Sequence, residues 1–81
     1  MPPKTPRNIS GKDLIKALSQ LRYEVDRQKG SHARLRTHIN GEHFITVAIH
    51  DSVPIGTLNA ILNEVADHFG TSKSDLIERL F

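Results

Sequence analysis

Eighty-one residues leave room for one hydrophobic core, since a second would have too few buried side chains to hold either. Apolar residues at 37% and charged residues at 25% fit a globular domain rather than a disordered chain. With no cysteine, disulfides, thiolate metal sites and a cysteine nucleophile are excluded. The net charge of +2 conceals a basic first half and an acidic last third. Lys4, Arg7, Lys12 and Lys16 meet only Asp13 in residues 1–21, and Arg22, Arg27, Lys29, Arg34 and Arg36 outweigh Glu24 and Asp26 in residues 22–38. In residues 51–81 the balance reverses, with Asp51, Glu64, Asp67, Asp75 and Glu78 against Lys73 and Arg79. A basic half attracts polyanions such as nucleic acid, although an ordinary mixed surface carries charges of the same kind. Tyr23, Phe44, Phe69 and Phe81 are the only aromatics, too few for an extended platform of rings on which bases stack.

Residues 1–8, with Pro2, Pro3 and Pro6, read as a flexible tail before a single domain over residues 9–81. No apolar stretch of the signal-peptide kind opens the chain and no apolar run approaches membrane-spanning length, so the expected location is cytoplasmic. Ser10-Gly11-Lys12-Asp13 resembles a capping box, and Leu14, Ile15, Ala17, Leu18 and Leu21 follow it at helical spacing, which predicts a helix over about Gly11 to Leu21. Tyr23 to Gln28 reads as a short strand, and Lys29-Gly30 as a turn. His32 to Ile39 alternates, with Ala33, Leu35, Thr37 and Ile39 on one side and His32, Arg34, Arg36 and His38 on the other. After Asn40-Gly41, a third strand spans about His43 to His50, with Ile45, Val47 and Ile49 apolar. Helical spacing resumes over Leu58, Ile61, Leu62, Val65 and Phe69, from near Pro54 to Gly70, and Ser72-Lys73-Ser74-Asp75 opens a short last helix. The order α-β-β-β-α-α defines an α+β fold, a three-stranded antiparallel sheet with helices on one face and the other face open.

Register follows from burial. A two-residue loop at Asn40-Gly41 puts the apolar sets of the two strands on opposite faces, because a slip of one residue turns every side chain over. A three-residue loop over residues 40–42 pairs Leu35 with Val47, Thr37 with Ile45 and Ala33 with Ile49, and sets His32 across from His50 on the open face.

Four segments carry a family resemblance: Ser10-Gly11-Lys12-Asp13-Leu14-Ile15, Gln28-Lys29-Gly30-Ser31-His32, Thr46-Val47-Ala48-Ile49-His50, and Gly56-Thr57-Leu58 leading into Ile61-Leu62. In this order and in so short a chain they resemble the HicA toxins of toxin–antitoxin modules, from about Ile9 to Leu80. The resemblance implies a fold like the double-stranded-RNA-binding domain, a metal-independent endoribonuclease activity on mRNA that blocks translation, and inhibition by a HicB-type antitoxin. It places the catalytic histidine on His32. Beside it, Lys29, Gly30, Ser31, Arg34 and Arg36 are the expected RNA-binding residues, with His50 in a supporting role. His38, His43 and His68 are expected at the surface. The histidines show neither an HxxxH pair nor an HExxH string, so no metal or other cofactor is expected. The alternatives are a non-catalytic RNA-binding module of the same fold, and a protein-interaction domain whose basic face meets an acidic partner.

Overall fold

The computed structural model describes residues 5–49 and 52–81. Helix α1 (Gly11–Leu18) starts at Ser10, whose Oγ accepts from the Asp13 N–H at 3.0 Å while Asp13 Oδ2 accepts from the Ser10 N–H at 3.4 Å. Both sides of the capping box are made, which satisfies amides that the first helical turn leaves without carbonyl partners. The helix tightens into a 3₁₀ turn over Ser19–Leu21, and Arg22 at φ +65° redirects the chain into the sheet. Strands β1 (Glu24–Lys29), β2 (His32–Thr37) and β3 (His43–Ala48) form an antiparallel sheet in the order β1-β2-β3. Helices α2 (Ile55–Phe69) and α3 (Lys73–Leu80) follow, the second capped by Ser72, whose Oγ accepts from the Asp75 N–H at 3.1 Å. The α-β-β-β-α-α order is the expected one, with strands two residues shorter at the ends of β2 and β3.

Alternation along β2 sorts its side chains. Ala33, Leu35 and Thr37 are buried with Ile45 and Val47 of β3, against Leu14 and Leu18 of α1 and Leu58, Leu62 and Val65 of α2. Each fully buried aliphatic side chain contributes about 1.5–3 kcal/mol relative to exposure. Thr37, the one buried polar side chain among the described residues, donates from Oγ1 to the Leu21 carbonyl at 2.9 Å. Among the described residues no helix is long and apolar enough to cross a membrane.

The β2–β3 register corrects the expected one. Leu35 pairs with Ile45, Ala33 with Val47 and Thr37 with His43, so residues 38–42 form the connection and every pair is displaced by two from the three-residue-loop pattern. A displacement of two residues keeps each side chain on its own face, so burial cannot distinguish the two registers. Contacts with the end of α2 accompany the longer loop: Asn40 Nδ2 donates to the His68 carbonyl at 2.8 Å, and His68 Nε2 lies 2.9 Å from the Ile39 carbonyl. The residue across from His32 is consequently Ala48. His50, expected in that place, lies outside the described residues.

Candidate nucleic-acid interface

The open face of the sheet is built around the tight turn between β1 and β2. Lys29 pairs with His32, and Gly30-Ser31 is the two-residue connection between them. Gly30 sits at φ +59°, the left-handed conformation that the first central position of such a hairpin turn takes and that glycine adopts without steric penalty. The Ile49 N–H donates to the Ser31 carbonyl at 2.6 Å, so the chain beyond β3 holds the turn from its far side. This end is buttressed again by α1: a Cβ on Gly11 would stand 2.9 Å from Ile49 Cα and closer still to the Ala48 carbonyl oxygen. The helix start and the end of β3 therefore touch backbone to backbone. His32 is exposed above this support, with the ammonium-bearing Lys29 as its cross-strand neighbour and the small Ala48 on the other side. Directly paired residues have Cβ atoms about 4.5–5.5 Å apart, so Lys29 and His32 can address one ligand group together.

Arg34 and Arg36 continue along β2 from His32 on the same face, and the structure gives them company that sequence reasoning did not. A bulge between Val25 and Arg27 sets two β1 residues, Asp26 and Arg27, opposite Arg34. Asp26 accepts from Arg34 Nε at 2.9 Å and also from its terminal Nη2, and it stands 3.4 Å from Arg36 Nη1. The hydrogen bonds from Arg34, then the positive charges around it, hold the Asp26 carboxyl below its usual range. Phe44, across from Arg36 on β3, completes the group, with the Arg34 guanidinium carbon 4.7 Å and that of Arg36 6.0 Å from its ring centroid. These are cation–π distances. The Asp26 side chain is only 16% exposed, against 43% for Arg34 and 40% for Arg36, so the carboxylate lies beneath and the guanidinium groups above it.

Arg34 and Arg36 are thus partly neutralised, whereas Arg27 and Lys29 have no carboxylate in ion-pairing range among the described residues. The signal for Phe44 was present in the sequence, since the alternation that buries Ile45 and Val47 turns Phe44 outward. The signal for Asp26 was not, because a bulge leaves no mark on a short polar strand. A concavity of about 460 Å³ adjoins the cluster between Arg22, Glu24, Val25, Asp26, Arg36 and His38, at the end of the face away from His32.

Two of the three histidines expected at the surface are half-buried. His43 Nδ1 lies 2.7 Å from the Tyr23 hydroxyl and Nε2 3.4 Å from Glu64 Oε1, while its ring stacks on His68 at a centroid distance of 4.5 Å. They brace the sheet against α2, and only His38 of the three is exposed. No group of three metal-ligating side chains forms among the described residues.

An antiparallel sheet backed by three helices, with a histidine and a set of cations on its open face, defines a small α+β domain. The family model described as the HicA toxin of bacterial toxin–antitoxin systems matches residues 11–66, and the chain belongs to that family, as a toxin of a toxin–antitoxin module. Comparisons with curated proteins and with solved structures return no match.

Proposed function

We propose that this toxin is a metal-independent endoribonuclease that cleaves mRNA in the cytoplasm and so blocks translation, with His32 as its general acid–base residue. The observation that carries the reading is the exposed His32 paired with Lys29, on the open face of a chain of the HicA toxin family. RNA brings its own nucleophile. The 2′-hydroxyl attacks the adjacent phosphorus and gives up its proton, the bond to the 5′-oxygen breaks, and that oxygen takes a proton, leaving a 2′,3′-cyclic phosphate and a 5′-hydroxyl. An imidazole with an unperturbed pKa of about 6.5 accepts or donates a proton near neutral pH. One ring cannot serve optimally in both directions at once, so Lys29, water or His50 completes the transfer. Lys29, with Arg27 beside it, stabilises charge developing on the phosphate, and the Gly30-Ser31 turn lets the backbone come close. Arg34 and Arg36 retain guanidinium N–H groups beyond those given to Asp26 for contact with the strand. A HicB-type antitoxin inhibits by covering this face and presenting carboxylates to its cations.

The test is cleavage of single-stranded RNA in EDTA by the parent and by His32→Ala. Removing one positioned acid or base lowers the rate by about 10²–10⁴-fold, and an exposed position leaves folding intact. RNA binding survives in the variant, since phosphate contacts carry most of the affinity. Parental cleavage by a folded His32→Ala protein sinks the role of His32, and salt-sensitive binding without any cleavage selects a non-catalytic RNA-binding module instead.

A further inference from the structure

The geometry points to a base-stacking subsite on the open face, in which an unpaired base of single-stranded RNA lies against the layer formed by the Phe44 ring and the Arg34 guanidinium. This inference rests on the proposed RNA substrate and adds where a base is held. Phe44 is 36% exposed and faces away from the core that Ile45 and Val47 enter. It lies outside the buried core, and two guanidinium groups converge on it. Aromatic faces and guanidinium planes are the two surfaces on which proteins stack unpaired bases. Asp26 restrains the second of these: its Oδ2 accepts from both Nε and Nη2 of Arg34, which limits the guanidinium orientations before any ligand arrives. A side chain ordered in advance loses less freedom on binding.

Placement fits the same strand of RNA. Arg34 is two residues along β2 from His32, and Phe44 is opposite Arg36 two residues further. At about 3.3 Å per residue, the layer begins about 7 Å from His32 and ends about 13 Å from it, roughly one or two nucleotides along an extended strand. The local charge also favours a nucleotide. Arg27, Arg34 and Arg36 outnumber Asp26 and Glu24, the cross-strand neighbour of Arg36, and leave an excess of positive charge for the phosphate beside the base. Asp26 acts here as a positioning residue, through Arg34.

The experiment uses the full chain and a short 2′-O-methyl oligonucleotide, which lacks the nucleophile and stays intact, carrying 2-aminopurine at one position at a time. Stacking quenches this fluorescent base. The parent and His32→Ala are expected to quench it strongly at one position, and Phe44→Leu to lose that quenching and bind about 5- to 150-fold more weakly, the range of a single base–aromatic stack. An abasic residue at the same position weakens the parent and leaves Phe44→Leu unchanged. Phe44→Tyr restores both signals, and Arg34→Lys, which keeps the charge and removes the plane, reduces quenching more than it reduces affinity. Equal quenching by the parent and Phe44→Leu overturns the inference. So does a loss spread evenly over all positions, or a Phe44→Leu defect confined to binding of an acidic protein partner. These signals do not depend on cleavage, so failure of His32 as the acid–base residue appears separately, as unaltered cleavage by His32→Ala.

Discussion

Tyr23 is 1% exposed, and a phenol so buried needs a partner for its hydroxyl. His43 Nδ1 supplies it at 2.7 Å, and the other ring nitrogen, Nε2, lies 3.4 Å from Glu64 Oε1. Burial first, then the nearby Glu64 charge, disfavours the phenolate and pushes the Tyr23 pKa up to about 12 from 10.0. The unfolded chain therefore loses this proton first. Between about pH 10 and pH 12 the folded state binds more protons than the unfolded one, so stability present below pH 10 is lost as pH rises through that window. Tyr23 is the sole tyrosine and there is no tryptophan, so the ultraviolet absorbance of tyrosinate reports this residue alone. Folded protein is expected to ionise near 12 and urea-unfolded protein near 10, and a folded midpoint near 10 rejects the account. Tyr23→Phe loses about 1 kcal/mol at pH 8 through the missing hydrogen bond, and its stability declines less steeply above pH 10.

At the scale of elements, the junction of α1 with the end of β3 decides how the His32 turn is held. Alanine is ordinarily better than glycine inside a helix by about 0.5–1 kcal/mol. At Gly11 the sign reverses, because the added Cβ meets the Ala48 and Ile49 backbone, and overpacking of this kind costs about 1–3 kcal/mol. Gly11→Ala is expected to lower Tm, whereas Gly56→Ala in α2, where a Cβ meets nothing within 4 Å, raises it by a few degrees. Equal shifts in both variants would show that helix propensity alone governs the two sites. The same junction marks how far sequence could see. The capping residues around Gly11 identified the helix start, but a backbone contact across the fold has no local signature. Burial excluded a slip of one residue between β2 and β3 and could not exclude a slip of two, so the loop over residues 38–42 and its attachment to His68 emerged only in the structure. At the site, alternation placed His32, Arg34 and Arg36 on one face. The Asp26 bulge that binds the arginines was invisible, and Phe44 was readable from its register yet undervalued because a lone ring makes no platform without the guanidinium beside it.

Over the whole molecule, the excess of positive charge lies on the sheet. Arg27, Lys29, Arg34 and Arg36 meet only Glu24 and Asp26 on the strands, while on the helices Lys12, Lys16, Lys73 and Arg79 are balanced by Asp13, Glu64, Asp67, Asp75 and Glu78. A uniform field and a face-specific one predict different responses to salt. Single-stranded RNA releases counterions with a slope of log K against log salt of about −0.7 per phosphate neutralised, so three or four phosphate contacts give about −2 to −3. Measured by fluorescence anisotropy with His32→Ala, to keep the RNA whole, the slope is expected to lie in that range. Lys29→Ala removes one contact and flattens it by about 0.7. Asp26→Asn acts oppositely: it releases Arg34 and Arg36 from their carboxylate, tightens binding at low salt and steepens the slope by about the same amount, while the unpinned guanidinium discriminates less among bases. Asp67→Lys replaces a negative by a positive charge on the exposed surface of α2, remote from the strands, and should leave the slope unchanged despite the larger change in net charge. If Asp67→Lys steepened the slope as much as Asp26→Asn, overall charge rather than the open face of the sheet would be what holds the RNA.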